Sequence, residues 1–205
     1  MGRVGLLVAL VLGLVLAACS GAAAAPSVMM LPGATTAAMG TRDTSYNPAR
    51  PAPALALTDQ GGKPFDLTSL RGTPVFVYFG YTHCPDVCPT TLADVRAAIQ
   101  QAGLPAKVVM VTVDPARDNA AWMKTYLDAY KAGFIGLTGT DTQIAAAAAA
   151  WDVAYKAEPA DSNGNYAMTH TSDVYLVDAS GMLRNHIFFG AGSTLIAQIL
   201  KGVAT

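Results

Sequence analysis

Residues 75–103, "VFVYFGYTHCPDVCPTTLADVRAAIQQAG", carry three signals in series. Residues 75–79 are a continuous apolar run rich in β-formers, which reads as a strand buried on both faces. Further on, Thr90 or Thr91 offers an N-cap, Leu92, Val95 and Ile99 repeat at helical spacing, and Gly103 stands past the end. That pattern predicts a helix. Between strand and helix lie Cys84 and Cys88, four positions apart and bracketed by prolines. Residues four apart on a helical turn share a face, about 5–6 Å apart at Cβ, and a disulfide needs Cα atoms within about 4.4–6.8 Å. The spacing therefore allows a disulfide, or two thiolates converging on one ion. At a helix N-terminus both thiols are expected to have lowered pKa values.

Outward from this stretch, "ALALTDQGGKPFDL" (54–67) reads as two short strands around a Gly61-Gly62 turn. Residues 107–113 predict a second buried strand, 119–130 a second helix and 135–137 a short strand. Thr140 to Gln143 fits a capping box, opening an alanine-rich helix to about 150 with little core payload. Residues 161–165 are turn-rich. Residues 173–178 and 183–189, joined by 179–181, predict a hairpin, and 193–201 a closing helix with Gly202 behind it. The order is two strands, then β-α-β-α, then helix, hairpin and helix. It implies an α/β fold, a mixed sheet with helices on both faces. That order is similar to a thioredoxin-like architecture with an N-terminal β-hairpin extension, in which a cysteine pair occupies this same strand-to-helix junction.

A chain of 205 residues suits one domain with appendages, and 52% hydrophobic residues suffice for a core. The start reads differently. Residues 1–18 hold Arg3, an apolar run and small residues, the pattern of a secretory signal. The run is shorter than the roughly 20 residues that span a bilayer. Leu16-Ala17-Ala18-Cys19 resembles a bacterial lipobox, which makes Cys19 the expected lipidated first residue of the mature chain. The expected location is extracytoplasmic, at the periplasmic or cell-envelope side, with a lipid anchor in the membrane. Residues 19–49, rich in Ala, Thr, Gly, Pro and Ser, predict a flexible tether. The folded domain is expected over 50–205. A net charge of −1 gives no basic footprint for nucleic acid.

With Cys19 anchored, Cys84 and Cys88 are the remaining cysteines, in a compartment that permits disulfides. Generic redox signatures do not fit them. Three residues separate the cysteines where thioredoxin-like oxidoreductases have two, and no proline stands in 166–176 for the cis-proline of the opposing loop. Thr is absent three residues before either cysteine, against a peroxiredoxin. In place of the proline stands "YAMTHTSDVYLVD" (166–178), with His170. Two thiolates and an imidazole suit Cu(I). His83 abuts Cys84 and predicts a surface residue, while His186, within the last strand, predicts a sheet-face residue. A mere staple is the weakest alternative, because so short a loop adds little.

"FGYTHCPDVCPTTL" (79–92), "VTVDPARD" (111–118) and "HTSDVYLVDASG" (170–181) resemble the three signature blocks of the Sco/SenC family, over a match from about 54 to 201. The resemblance implies a membrane-anchored, thioredoxin-fold copper metallochaperone assisting assembly of the dinuclear copper centre of cytochrome c oxidase subunit II. The implied ligands are Cys84, Cys88 and His170, for Cu(I) and also Cu(II). Asp86 and Asp114 match as well, as residues behind the ligands or in contact with a partner. Expected partners are subunit II and an upstream copper carrier or thiol reductant. The alternative is a thiol–disulfide oxidoreductase that keeps the subunit II cysteines reduced, with Cys84–Cys88 forming its disulfide when oxidised.

Overall fold

The computed structural model describes residues 44–204. An eight-stranded mixed sheet runs in the order β1 (Ser45–Pro51), β10 (Met182–Ile187), β9 (Val174–Val177), β4 (Val75–Gly80), β5 (Lys107–Thr112), β6 (Ile135–Thr138), β2 (Leu57–Asp59) and β3 (Pro64–Phe65). Its centre is β4 (Val75–Gly80), parallel to β5 (Lys107–Thr112) and antiparallel to β9 (Val174–Val177). Every residue of β4 and β9 is buried, so both faces of the sheet are covered there. β5 pairs in parallel with β6 (Ile135–Thr138). The expected hairpin, β2 (Leu57–Asp59) and β3 (Pro64–Phe65), extends that edge antiparallel to β6. β9 and β10 (Met182–Ile187) form the second expected hairpin. This is the thioredoxin-like arrangement.

Among the described residues four α-helices complete it: α1 (Val87–Ala102), α2 (Ala120–Asp128), α3 (Asp141–Ala150) and α4 (Gly192–Val203). α1 packs along α4, and α2 against β6. Local chemistry explains their ends. Asn119 caps α2 through the Trp122 N–H, Thr140 and Gln143 form the complete capping box of α3, and Gly103 closes α1 at φ +67°. Two ends differ from expectation. α1 starts before the threonines, at Val87, and so takes in Cys88; Gly202 lies inside α4, which ends at Val203 with Ala204 as its C-cap.

Three further differences have physical reasons. The tether was expected to reach 49, yet Ser45–Pro51 form β1, an edge strand antiparallel to β10. Two prolines disguised it; an edge strand tolerates them because one side of its ladder is unpaired. Tyr46 stacks its ring on Arg50 at 4.9 Å, and Arg50 pairs with Asp152 at 2.6 Å. A separate ribbon, β7 (Tyr155–Ala157) with β8 (Met168–His170), was also not expected. Finally, the alanine-rich α3 ends on Trp151, which is wholly buried against Phe79 (6.0 Å) and Tyr175 (5.5 Å). The payload that the alanines lack is supplied by their C-cap.

The expected signal (1–18), the lipidation site Cys19 and the tether up to residue 43 lie outside the described residues. Among the described residues no helix is long and apolar enough to cross a membrane.

Trp151→Ala should lower unfolding stability by about 3–5 kcal/mol, read from urea titration; a loss below about 1 kcal/mol would mean the ring is not a core element.

Candidate metal centre

The site lies beyond the carboxyl ends of β4 and β5, where open α/β sheets place their ligand crevices. β4 delivers the chain into residues 81–86, and α1 begins one residue before Cys88. A helix start leaves backbone N–H groups without partners. Asp86 occupies the N-cap, but its side chain caps nothing. The Cys84 sulfur does so instead, accepting the Cys88 N–H at 3.4 Å and the Asp86 N–H. Pro89, in the same turn, has no N–H to satisfy.

Cys88 points inward and is wholly buried. The Tyr78 hydroxyl donates to its sulfur at 3.2 Å. Gly80 makes the fit possible: a Cβ there would stand 3.1 Å from that sulfur and 2.5 Å from the Tyr78 ring. His170, 82 residues further on, brings its Nε2 to 3.7 Å from the Cys88 sulfur. Its Nδ1 lies 2.9 Å from the Thr171 carbonyl, which accepts the ring N–H and leaves the Nε2 lone pair facing the thiol. The imidazole is packed edge-on between Tyr78 (6.1 Å) and Tyr81 (5.9 Å). Among the described residues no three His, Cys, Asp or Glu side chains already form a closed cage. What exists is a thiol–imidazole pair with a second thiol on the adjoining turn.

The two sulfurs are unlike. Burial pushes the Cys88 thiol up to about 12, against the opposing bond from Tyr78. Burial acts on Cys84 too, but the N–H groups of Cys88 and Asp86, with the Cys88 and Tyr81 side chains, outweigh it and hold this thiol below its ordinary value. The expectation that both thiols would be lowered is corrected for Cys88. It sits on the helix's inner face under Tyr78, where desolvation exceeds any benefit of the helix start. Burial likewise lowers His170, which favours the neutral ring that can ligate.

The other candidates separate. Asp86 is exposed, its carboxylate reached weakly by the Thr90 hydroxyl at 3.4 Å. Asp114 is buried and accepts from Arg117 Nε and, at 2.8 Å, from the Tyr166 hydroxyl. His83 is exposed as expected, stacked on Trp122 at 6.0 Å. His186 lies on the sheet flank with Nδ1 3.2 Å from Asp173.

Sequence reading missed the scaffold beneath. Asp118 is wholly buried and accepts from the Thr82 N–H (3.0 Å), the Thr82 hydroxyl (2.5 Å) and the Thr112 hydroxyl (2.7 Å), tying the cysteine loop to β5. Trp122, 46% exposed, donates its indole N–H to the same Thr82 oxygen at 2.7 Å. Asp118 closes the second signature block, so its signal was within a stretch already singled out. Tyr81 likewise lies within the first block, whereas Tyr78, just before it, had no such signal, since an aromatic residue in a buried strand reads as core.

A thioredoxin-like domain with a cysteine pair at the end of its central parallel strand, and a facing histidine, is a thiol-based metal or redox protein. Comparison with known proteins narrows that class. Residues 44–205 match the SCO1/SenC family, and the chain belongs to it. A protein of Stutzerimonas stutzeri is 40% identical over 144 residues, covering 67% of this chain and 69% of the relative. Bradyrhizobium japonicum ScoI, solved with copper bound, is 35% identical at a TM-score of 0.66, covering 74% and 98% of the two chains. Yeast Sco1, also solved with copper bound, is 26% identical at a TM-score of 0.68, covering 76% and 90%.

The unlike sulfurs set an order of reaction. Iodoacetamide at pH 7 should alkylate Cys84 of the reduced, metal-free protein first, with Cys88 protected until unfolding, because Cys84 is the half-exposed and more readily ionised sulfur. Peptide mass spectrometry that found Cys88 modified first would refute the asymmetry.

Proposed function

We propose that the reduced chain captures one copper ion through Cys84, Cys88 and His170 and hands it to the dinuclear centre of cytochrome c oxidase subunit II. Family membership supplies the broader frame, a copper-binding Sco protein of cytochrome c oxidase assembly. The single observation that carries the ligand set is the 3.7 Å approach of His170 Nε2 to the Cys88 sulfur.

The donors fit the ion. Two sulfurs and one neutral imidazole form a soft set suited to Cu(I), and Cu(II) needs one further donor to reach its tetragonal preference. Capture displaces the proton of each thiol that is not already ionised. Delivery is ligand exchange at constant oxidation state: each copper–sulfur bond to this chain breaks as one to a partner thiolate forms, and the freed sulfurs take up protons again. Cys84 is the first to leave or to arrive, being half-exposed and ionised more easily. Attachment at an extracytoplasmic membrane surface through Cys19, and copper supply by an upstream carrier, complete the reading.

The same asymmetry favours a second role. An accessible, easily ionised thiol beside a buried one is the arrangement of a disulfide reductase. Cys84 would attack a partner disulfide, and Cys88 would resolve the mixed disulfide. The partner then gains two thiols, the chain keeps a Cys84–Cys88 bond, and an external thiol reductant restores it.

Anaerobic Cu(I) titration of the reduced protein separates these roles. The parent should bind one equivalent, and His170→Ala should weaken binding by about a hundredfold, at least the loss known for residues behind a metal ligand. Unchanged affinity in His170→Ala would remove the histidine from the ligand set. A parent that bound no copper yet reduced a subunit II disulfide would leave the reductase.

A further inference from the structure

His170 does not lie on the eight-stranded sheet. Among the described residues its strand, β8, pairs with β7 alone, so the eight-stranded sheet holds the histidine from its C-terminal side, through β9 four residues on. On the N-terminal side of β8 the hold comes from outside the sheet.

Tyr166, two residues before β8, is gripped by the loop between β5 and α2. Its hydroxyl donates to Asp114 Oδ1 at 2.8 Å. Its backbone carbonyl accepts from Arg117 Nη1 at 2.9 Å. Its ring lies beneath the Arg117 guanidinium, 3.6 Å from the centroid. Arg117 is itself fixed, since Nε pairs with buried Asp114 and the side chain reaches over Tyr81 at 5.8 Å. An Asp114–Arg117 pair three residues apart would brace its own loop without any of this. Three contacts to one residue, about fifty positions away, are not needed for that purpose. Tyr81 continues the chain of contacts, taking the Met168 N–H on its hydroxyl and packing its ring edge-on against His170.

We propose that Tyr166, held by Asp114 and Arg117, is a positioning residue that sets His170 against the Cys88 sulfur for copper capture. The inference rests on the ligand set proposed above. Without the clamp, β8 would keep its pairing with β7 but the ribbon would pivot, and the imidazole would spend part of its time away from the thiols. Affinity falls in proportion to the fraction of molecules in which the third donor is in place.

The test is a double-mutant cycle on the reduced protein. Tyr166→Phe keeps the ring over Arg117 and removes only the hydroxyl. Cu(I) affinity, read by competition with a chromophoric chelator, should drop about tenfold in the parent and less than about twofold in His170→Ala, because the clamp acts through that ring. An equal loss in both backgrounds, or no loss in the parent, would overturn the proposal. A second reading needs no metal. The Thr171 amide, bonded to the Ala154 carbonyl at 2.9 Å, should exchange hydrogen about tenfold faster in Tyr166→Phe while the β4 amides do not change. Unaltered Thr171 exchange, or acceleration equal to that in β4, would also refute it. Were His170→Ala to bind copper like the parent, the ligand set would fail, and the exchange measurement would still judge the clamp.

Discussion

The Cys88 sulfur is held in place from three sides. Tyr78 donates to it at 3.2 Å, the missing side chain of Gly80 leaves it room, and His170 Nε2 stands 3.7 Å away. Protein interiors are close-packed, so a wholly buried side chain moves only if its surroundings move. Tyr78 and Gly80 belong to β4, whose ladders run to β5 on one side and β9 on the other. The position of one sulfur is therefore fixed by the centre of the sheet. Cys84 and His170 are arranged around it, one by the start of α1 and the other by the ribbon.

Much of this was legible. The strand at 75–79 and the helix after it show in composition and period alone, as do the capping box at Thr140 and both hairpins. The juxtaposition of His170 with the cysteines was legible only through topology and resemblance, since no local pattern spans 82 residues. What stayed hidden has a common cause. β1 carries prolines, and β7 and β8 are three residues each with exposed positions, so none shows the alternation by which a half-buried strand is recognised. Trp151 was hidden for another reason: a single large residue after ten alanine-rich positions does not alter the helix signal, yet it sits between Phe79 and Tyr175 in the core.

The unlike thiols follow from geometry that spacing alone could not supply. Four positions apart suggested one helical face and one shared environment. In the fold Cys84 precedes the helix and faces its free N–H groups, whereas Cys88 is inside the first turn and faces the core. The field of a helix start acts on what lies in front of it. A sulfur within the first turn but turned inward meets chiefly the desolvation of the core. The three residues between the cysteines, in place of the two of generic thioredoxin-like oxidoreductases, are the span over which the chain changes from loop to helix.

A protein that must both hold and release an ion needs donors of unequal mobility. Three rigid donors would bind tightly and exchange slowly, because a partner thiolate could enter only as the core opened. Here one sulfur is wholly buried, one is half-exposed on a loop, and the imidazole rides on a two-stranded ribbon outside the main sheet. Opening free energies are smallest where pairing is least extensive. Under the proposed function, Cys88 then serves as the pivot while Cys84 and His170 exchange places with donors of the recipient. Asp118, with three hydrogen bonds, keeps the cysteine loop from moving as freely as its exposure would allow. On that proposal the balance between capture and release is set by how firmly two peripheral elements are tied to one buried atom, and the ties lie in the loops after β4 and β5.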